Sequence, residues 1–403
     1  MLPGTLTPWL QASLVRLGTW MPFAHAAREL GWLSRAPGGA LVSESVAERL
    51  TEAAGAAYVA EQTAVVDRLE HRPWPEPAGP GVLQISADGA MISLVKKQWA
   101  EVKTLAIGRI IRAADGTVRA RDLSYFSRRA EHTAFRRLAL VETYRRGVGT
   151  ALVVVAVMDG AEWLQRFIDV QRPDAIRVLD FPHAVEYLAR AGHEAFGAGT
   201  APTSEWIATQ AHTLKHAGPG PVLAALRALP AGEQRDTALG YLEPRLAQLQ
   251  YPTFRAQGYP IGSGIVESAN KVVVEDRLKG SGMHWAPSSV DPMLALRTVV
   301  CADRWDEAWP QISRRLRAAD RGRRQQRRQR ATDRRAARAA AAQAAQAPDP
   351  ATPDTTAPLL VTTAPAAQTP PPTPKTVVNG RPTKAHPWNR RFLPHRPVVP
   401  AEN

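Results

Sequence analysis

Cysteine is nearly absent from the 403 residues: Cys301 stands alone. One thiol excludes a disulfide within the chain and any zinc site built on several cysteines. That usage fits a reducing compartment. No apolar run approaches the roughly 20 residues needed to cross a bilayer, and the opening MLPGTLTPWL lacks the basic start and apolar core of a secretion signal. No Walker or dinucleotide fingerprint occurs, which argues against ATP and NAD. The expectation is a soluble cytoplasmic protein with no membrane partner and no nucleotide cofactor.

Positive charge is present in excess, but it is not spread evenly. The net charge is +14, yet from Gln311 onward there are 18 Lys/Arg against 5 Asp/Glu. The preceding 310 residues carry 33 basic and 32 acidic groups, so the body of the chain is close to neutral. With 44% hydrophobic residues that body can bury a large core. The basic tail passes from RAADRGRRQQRRQR into alanine runs and TPPPTPK, a composition unable to fold alone. It is expected to be a helix that frays into disorder.

Five segments follow from the periodicity. Residues 1–75 read as helical, with LTPWLQASLVRLGTW and FAHAARELGWL amphipathic and a capping box, Ser45 to Glu48, opening a long third helix. A helix-turn-helix reader of DNA and a plain helical support fit this pattern equally. The proline-rich HRPWPEPAGPG then marks a boundary. Residues 76–187 alternate strands and helices as a mixed α/β sheet would, with Asp88-Gly89 interrupting the first strand. Residues 188–255 look wholly helical around Gly-Pro-Gly-Pro at 218–221, residues 256–312 return to the α/β core, and 313–403 form the tail.

Three carboxylates stand where a site would form. Asp88 follows one apolar run, Asp159 ends ALVVVAVM, and Glu267 sits in the first turn of a helix after GSG. Neighbouring strands would bring the two aspartates side by side, and a helix across the sheet would add the glutamate. Three carboxylates without His or Cys make an oxygen-only site suited to Mg²⁺ or Mn²⁺. Two such ions about 4 Å apart clamp the attacking and leaving oxygens of a phosphodiester. Against this, an Asp-Gly pair most often only turns the chain, and a glutamate there complements a helix dipole.

Four blocks taken in order resemble the bacterial insertion-sequence transposases of the Kra type: DGAMISLVKKQWAEVKTLAIG, VMDGAEWLQRF, LDFPHAVEYL and GYPIGSGIVESANKVVVEDRLKGSGMHW. The resemblance spans about residues 1–310, and HPWNRRF at 386–392 is similar to the family's terminal block. It implies a ribonuclease-H-like core with a helical insertion, an Asp-Asp-Glu triad of Asp88, Asp159 and Glu267, and two Mg²⁺ or Mn²⁺ ions held by those three. The second acid has a rival in Asp180, which with His183 forms the accessory Asp-x-x-His signature 21 positions after Asp159. Relatives carry additional sequence ahead of LPGTLTPWL, so a shortened copy is expected. Transposon terminal repeats and target DNA are the implied partners, with a homo-oligomer on DNA.

Outside the acids, Arg277 and Lys279 are candidates for phosphate contacts and Trp285 for stacking on an unpaired base. An ordinary solvated helix face and a core tryptophan explain them equally well. His212 and His216 stand four apart without a third ligand and read as surface residues. The glycines of GSG read as a tight turn beside the acids. Three functions stay open on these residues: a transposase, a nuclease or resolvase of the same fold that only cuts, and a non-catalytic DNA-binding protein.

Overall fold

The computed structural model describes residues 6–36, 41–71, 75–346, 377–378 and 381–382. It divides into two compact units, Met1–Arg334 and Arg335–Asn403. Within the second, β6 (Val377–Val378) pairs antiparallel with β7 (Arg381–Pro382). The disorder expected of the remaining tail lies outside the described residues, as does HPWNRRF.

Five strands form one open mixed sheet: β1 (Val82–Leu94), β2 (Gln98–Arg112), β3 (Val118–Arg128), β4 (Val153–Met158) and β5 (Ile176–Leu179), in the order β3-β2-β1-β4-β5. The β1–β2 and β2–β3 pairs are antiparallel, while β1–β4 and β4–β5 are parallel. β4 reads VVVAVM because it is central and buried on both faces. Asp88-Gly89 does not break the first strand, contrary to expectation. β1 runs through it, because Asp88 pairs with Thr104 and Gly89 with Lys103 across the hairpin. What does end there is the contact with β4, whose pairing with β1 stops at Ile85. β3 escapes the sequence reading because VRARDL shows its outer face to water at the sheet edge and carries no apolar run.

Helices cover both faces. On one, α4 (His132–Leu138) and α6 (Glu162–Gln171) bury Phe135, Leu164, Phe167 and Ile168 against Leu83, Ile85 and Ala87 of β1; α5 (Leu140–Arg145) adjoins them. On the other, the β4–β5 side carries α7 (Phe181–Phe196), α8 (Ala201–His216), α9 (Pro219–Arg227), α10 (Glu233–Leu242), the 3₁₀ turns Glu243–Leu249 and α11 (Tyr251–Ala256), around Val155, Val157 and Val178. Helices run through the 188–255 stretch expected to be helical, and Gly218 (φ 90°) and Pro219 make its break by ending one helix and opening the next. The β1–β3 side is covered by α12 (Gly264–Ala269), a π-helical turn (Asn270–Glu275), α13 (Asp276–Leu278) and α14 (Pro287–Cys301).

The N-terminal segment forms α1 (Pro8–Trp20), α2 (Phe23–Leu33) and α3 (Glu44–His71). The capping box does not form: α3 starts one residue ahead of Ser45, and the Ser43 carbonyl accepts from the Val46 and Ala47 amides. These helices share buried residues with α14 and with the start of α15 (Trp305–Gln346), so they are built onto the body. In α15 Ile312 is buried and Arg315 pairs with Glu61 at 2.5 Å, whereas Ala318 to Arg321 and Arg323 to Arg334 are exposed. The segment from 313 thus continues as regular helix to Gln346 instead of fraying at once, since its arginines and alanines are strong helix formers. Among the described residues no helix is long and apolar enough to cross a membrane.

Candidate active site

The two parallel ladders bring three aspartates to the same level. β1 and β4 pair Val82 with Val153 and Ile85 with Ala156; continued in step, that register sets Asp88 level with Asp159. β4 and β5 pair Val155 with Ile176 and Met158 with Leu179, so the next step sets Asp159 level with Asp180. All three leave the carboxyl ends of the parallel stretch, where sites in open α/β sheets form. α12 packs on β1 and β2 and carries Glu267.

Each acid is held differently. Asp88 is half-buried; its Oδ1 accepts from the Gly89 amide at 2.7 Å and its Oδ2 from Asn270 Nδ2 at 2.9 Å. Burial raises the Asp88 carboxyl above its ordinary value; the Gly89 amide opposes this, and the charges of Asp159 and then Glu267 add to the rise. Asp159 Oδ1 caps the turn by accepting from the Ala161 amide at 2.8 Å. Its carbonyl accepts from the Tyr241 hydroxyl, and the Gly160 carbonyl accepts from Arg245 Nη2 at 3.0 Å. Gly160 has φ 81°, and a Cβ there would lie 2.6 Å from Tyr241 Oη. The turn therefore requires glycine. Glu267 is exposed, and its Oε1 accepts from the Ser263 hydroxyl at 3.0 Å.

Asp180 is buried, and the backbone occupies both its oxygens: Oδ1 accepts from the Ser263 amide at 2.7 Å and Oδ2 from the His183 amide at 3.1 Å. It caps α7 and anchors the loop that presents Glu267, while Phe181 N donates to the Ile261 carbonyl at 2.9 Å beside it. Its oxygens are spent on position. The His183 ring stacks edge-on to Tyr187 and Tyr241, with Nδ1 3.7 Å from Glu186. No family model matches the chain, and no curated protein matches it.

Among the described residues no group of three His, Cys, Asp or Glu side chains stands ready to hold an ion. The acids interact through charge; protein donors take both oxygens of Asp88 and one each of Asp159 and Glu267.

Two of the expected DNA contacts, Arg277 and Trp285, need correction, while Lys279 is exposed. Arg277 is 3% exposed and lies over the rings of Phe23 and Trp285 at 4.9 and 5.1 Å, with Nε donating to the Gly18 carbonyl at 3.2 Å. Burial, with a contribution from Arg297, lowers its pKa to about 10, so it stays charged at neutral pH. Trp285 is 7% exposed and meets Phe23 edge-on. Both are covered by the N-terminal helices, so they clamp α1 and α2 to the body and present no face to a strand. Lys279 pairs with Glu275 at 2.7 Å on its own helix. His212 and His216 stack on one another at 4.4 Å on the exposed side of α8.

Sequence reading missed Ser263, Asn270, Tyr241 and Arg245. The signal for Asn270 was available: it lies three residues after Glu267, the same helix face one turn on. Tyr241 and Arg245 come from the insertion, and nothing in their spacing points to Asp159.

Proposed function

We propose that this chain is a DNA transposase of the Asp-Asp-Glu type on a ribonuclease-H-like core, acting on insertion-sequence ends. The observation that carries the reading is that the charges of Asp159, which follows β4, and of Glu267 on α12 both act on the half-buried Asp88 of β1. The strand order, three antiparallel strands followed by two parallel ones, supports the same fold.

The donor set is oxygen-only and mutually repelling, which suits hard divalent cations. Asp88, Asp159 and Glu267 would hold Mg²⁺ or Mn²⁺, with Asp88 Oδ2 exchanging its Asn270 contact for the ion. Two bound ions would supply a polarised nucleophile and a stabilised leaving oxygen. The chain's own residues do the rest. Asp180 and Ser263 hold Glu267 at the sheet's end, and Tyr241 with Arg245 holds Asp159. Water, then the freed 3′-hydroxyl of the element, would attack in turn, with no covalent protein intermediate. DNA ends and target DNA are the partners, and a homo-oligomer would join two ends.

The present hydrogen bonds of the acids favour one rival, a DNA-binding protein whose carboxylates are structural. Asp159→Asn separates the two: Oδ1 still accepts from Ala161, so folding persists. The transposase reading expects Mg²⁺-dependent strand cleavage to fall by at least about a hundredfold. Undiminished cleavage by a folded variant, or no cleavage by the wild type with Mg²⁺ and Mn²⁺, would overturn it.

A further inference from the structure

Gly262 and Gly264 flank Ser263 in the loop before Glu267, and the sequence assigns them to a tight turn. The structure removes that explanation. Neither has a positive φ, and apart from adjoining residues and, for Gly264, the first turns of α12, nothing lies within 4 Å of where a Cβ would stand on either. Backbone conformation does not demand glycine here, and neither does packing within the chain. Glycine's remaining use is to bare the main chain to a group that comes close from outside.

Both glycines line a cleft of about 760 Å³ between this loop, the insertion and the β2–β3 turn. Lys215 of α8 and Arg255 of α11 line it too, and neither forms an ion pair with a carboxylate among the described residues. Lys215 instead lies over the Phe181 ring at 5.7 Å, and Arg255 Nη1 reaches the Lys215 carbonyl at 3.4 Å and His216 Nδ1 at 3.2 Å. The lining's one acid, Asp115, is committed: it accepts from the Thr117 amide and hydroxyl and lies 3.5 Å from Arg119. The cleft is therefore positive within a body that is nearly neutral.

It also leads somewhere. Gln84, on its floor, donates to Ser86 at 3.2 Å and to the Gly262 carbonyl at 3.0 Å. Gln84, buried Ser86 and Asp88 alternate onto one face of β1, so the cleft floor and the first acid stand about 13 Å apart along the same strand face.

We propose that this cleft holds the sugar–phosphate backbone of the DNA strand whose reacting bond lies at the acids. Phosphate oxygens accept from Lys215 and Arg255, and the strand passes over the bare main chain of Gly262 and Gly264. The volume is far more than one free phosphate fills, and one wall is the loop that carries Glu267. The inference rests on the transposase reading for the identity of the polyanion.

The test uses the full chain without metal and a fluorescein-labelled duplex of mixed sequence, titrated from about 50 to about 200 mM salt. Each lost phosphate contact on duplex DNA lowers the log–log salt slope by about 0.9. Lys215→Ala/Arg255→Ala should lower it by about 1.8, so its affinity falls about tenfold less than the wild type's across that range. Gly264→Val should weaken binding several-fold at unchanged slope, because it blocks approach without removing charge. Both should melt with the wild type; Gly264→Ala replaces valine if valine lowers the melting temperature. Wild-type binding with unchanged slope and affinity in the variants overturns the cleft alone. A wild type that binds no DNA overturns the transposase reading as well.

Discussion

Asp88→Asn should make the metal-free protein more stable. Asparagine keeps the volume and removes one of three interacting negative charges. The Gly89 bond persists, since Oδ1 still accepts it, and a flip of the Asn270 amide turns its Oδ1, now buried without a partner, to accept from the new side-chain amide at position 88 in place of the lost Asn270 Nδ2 contact. The folded carboxyl sits above its ordinary 3.8, so ionising it costs stability. That cost is absent below the unfolded value, grows as pH rises toward the folded value, and is complete above it. Two like-charge contacts at a half-exposed site are worth about 0.2–1 kcal/mol each. The variant should therefore gain roughly 0.5–2 kcal/mol at neutral pH, a rise of about 1–4 °C in Tm. Calorimetry in EDTA should show the gap closing as pH falls toward about 3.5. Adding Mg²⁺ should reverse the order, because ligand at a hundredfold its Kd stabilises the wild type by about 2.7 kcal/mol and the variant far less. A variant less stable than the wild type in EDTA at neutral pH, or a gap that ignores pH, would refute the reasoning.

Three further outcomes are expected. Arg277→Ala should lower stability by about 2–4 kcal/mol by opening a cavity between Phe23 and Trp285, and should leave the salt slope of DNA binding unchanged; a lowered slope in a fully folded variant would restore it as a phosphate contact. Gly160→Ala should cost about 1–3 kcal/mol from its left-handed φ and the Tyr241 clash, and cleavage should fall further than the lost stability explains. Ending the chain after Ala318 should leave Tm unchanged and flatten the salt dependence of DNA binding. Ending it after Gln311 should also cost about 2–4 kcal/mol, because buried Ile312 is lost with the Arg315–Glu61 pair.

Periodicity was enough to expect a mixed α/β sheet flanked by helices. The accessory place of Asp180 came only from the resemblance and its Asp-x-x-His spacing; its role as the cap of α7 was not read, although a carboxylate one residue before Phe-Pro is a natural helix cap. What was hidden depended on burial and on contacts distant in the chain. Arg277 and Trp285 look like a nucleic-acid pair when only charge and ring are visible; their burial comes from Phe23 and Gly18, more than 250 residues earlier. β3 hid because an edge strand needs no apolar alternation in its exposed half. Gly262 and Gly264 were misread because glycine serves several ends, and only the absence of neighbours around a would-be Cβ tells them apart.

The hold of Tyr241 and Arg245 on the Asp159–Gly160 turn bears on how the molecule can be taken apart. A segment inserted between the last strand and the helix bearing Glu267 looks, on paper, like a detachable module. Here it reaches back and fastens the second acid in place. A shortened or exchanged segment would preserve the sheet and Asp88, Asp159 and Glu267, yet leave Asp159 on a loosened hinge. Any graft of this segment therefore has a minimum cargo: the tyrosine of α10 and the arginine of the 3₁₀ turn after it, matched to a glycine after the strand, must travel together.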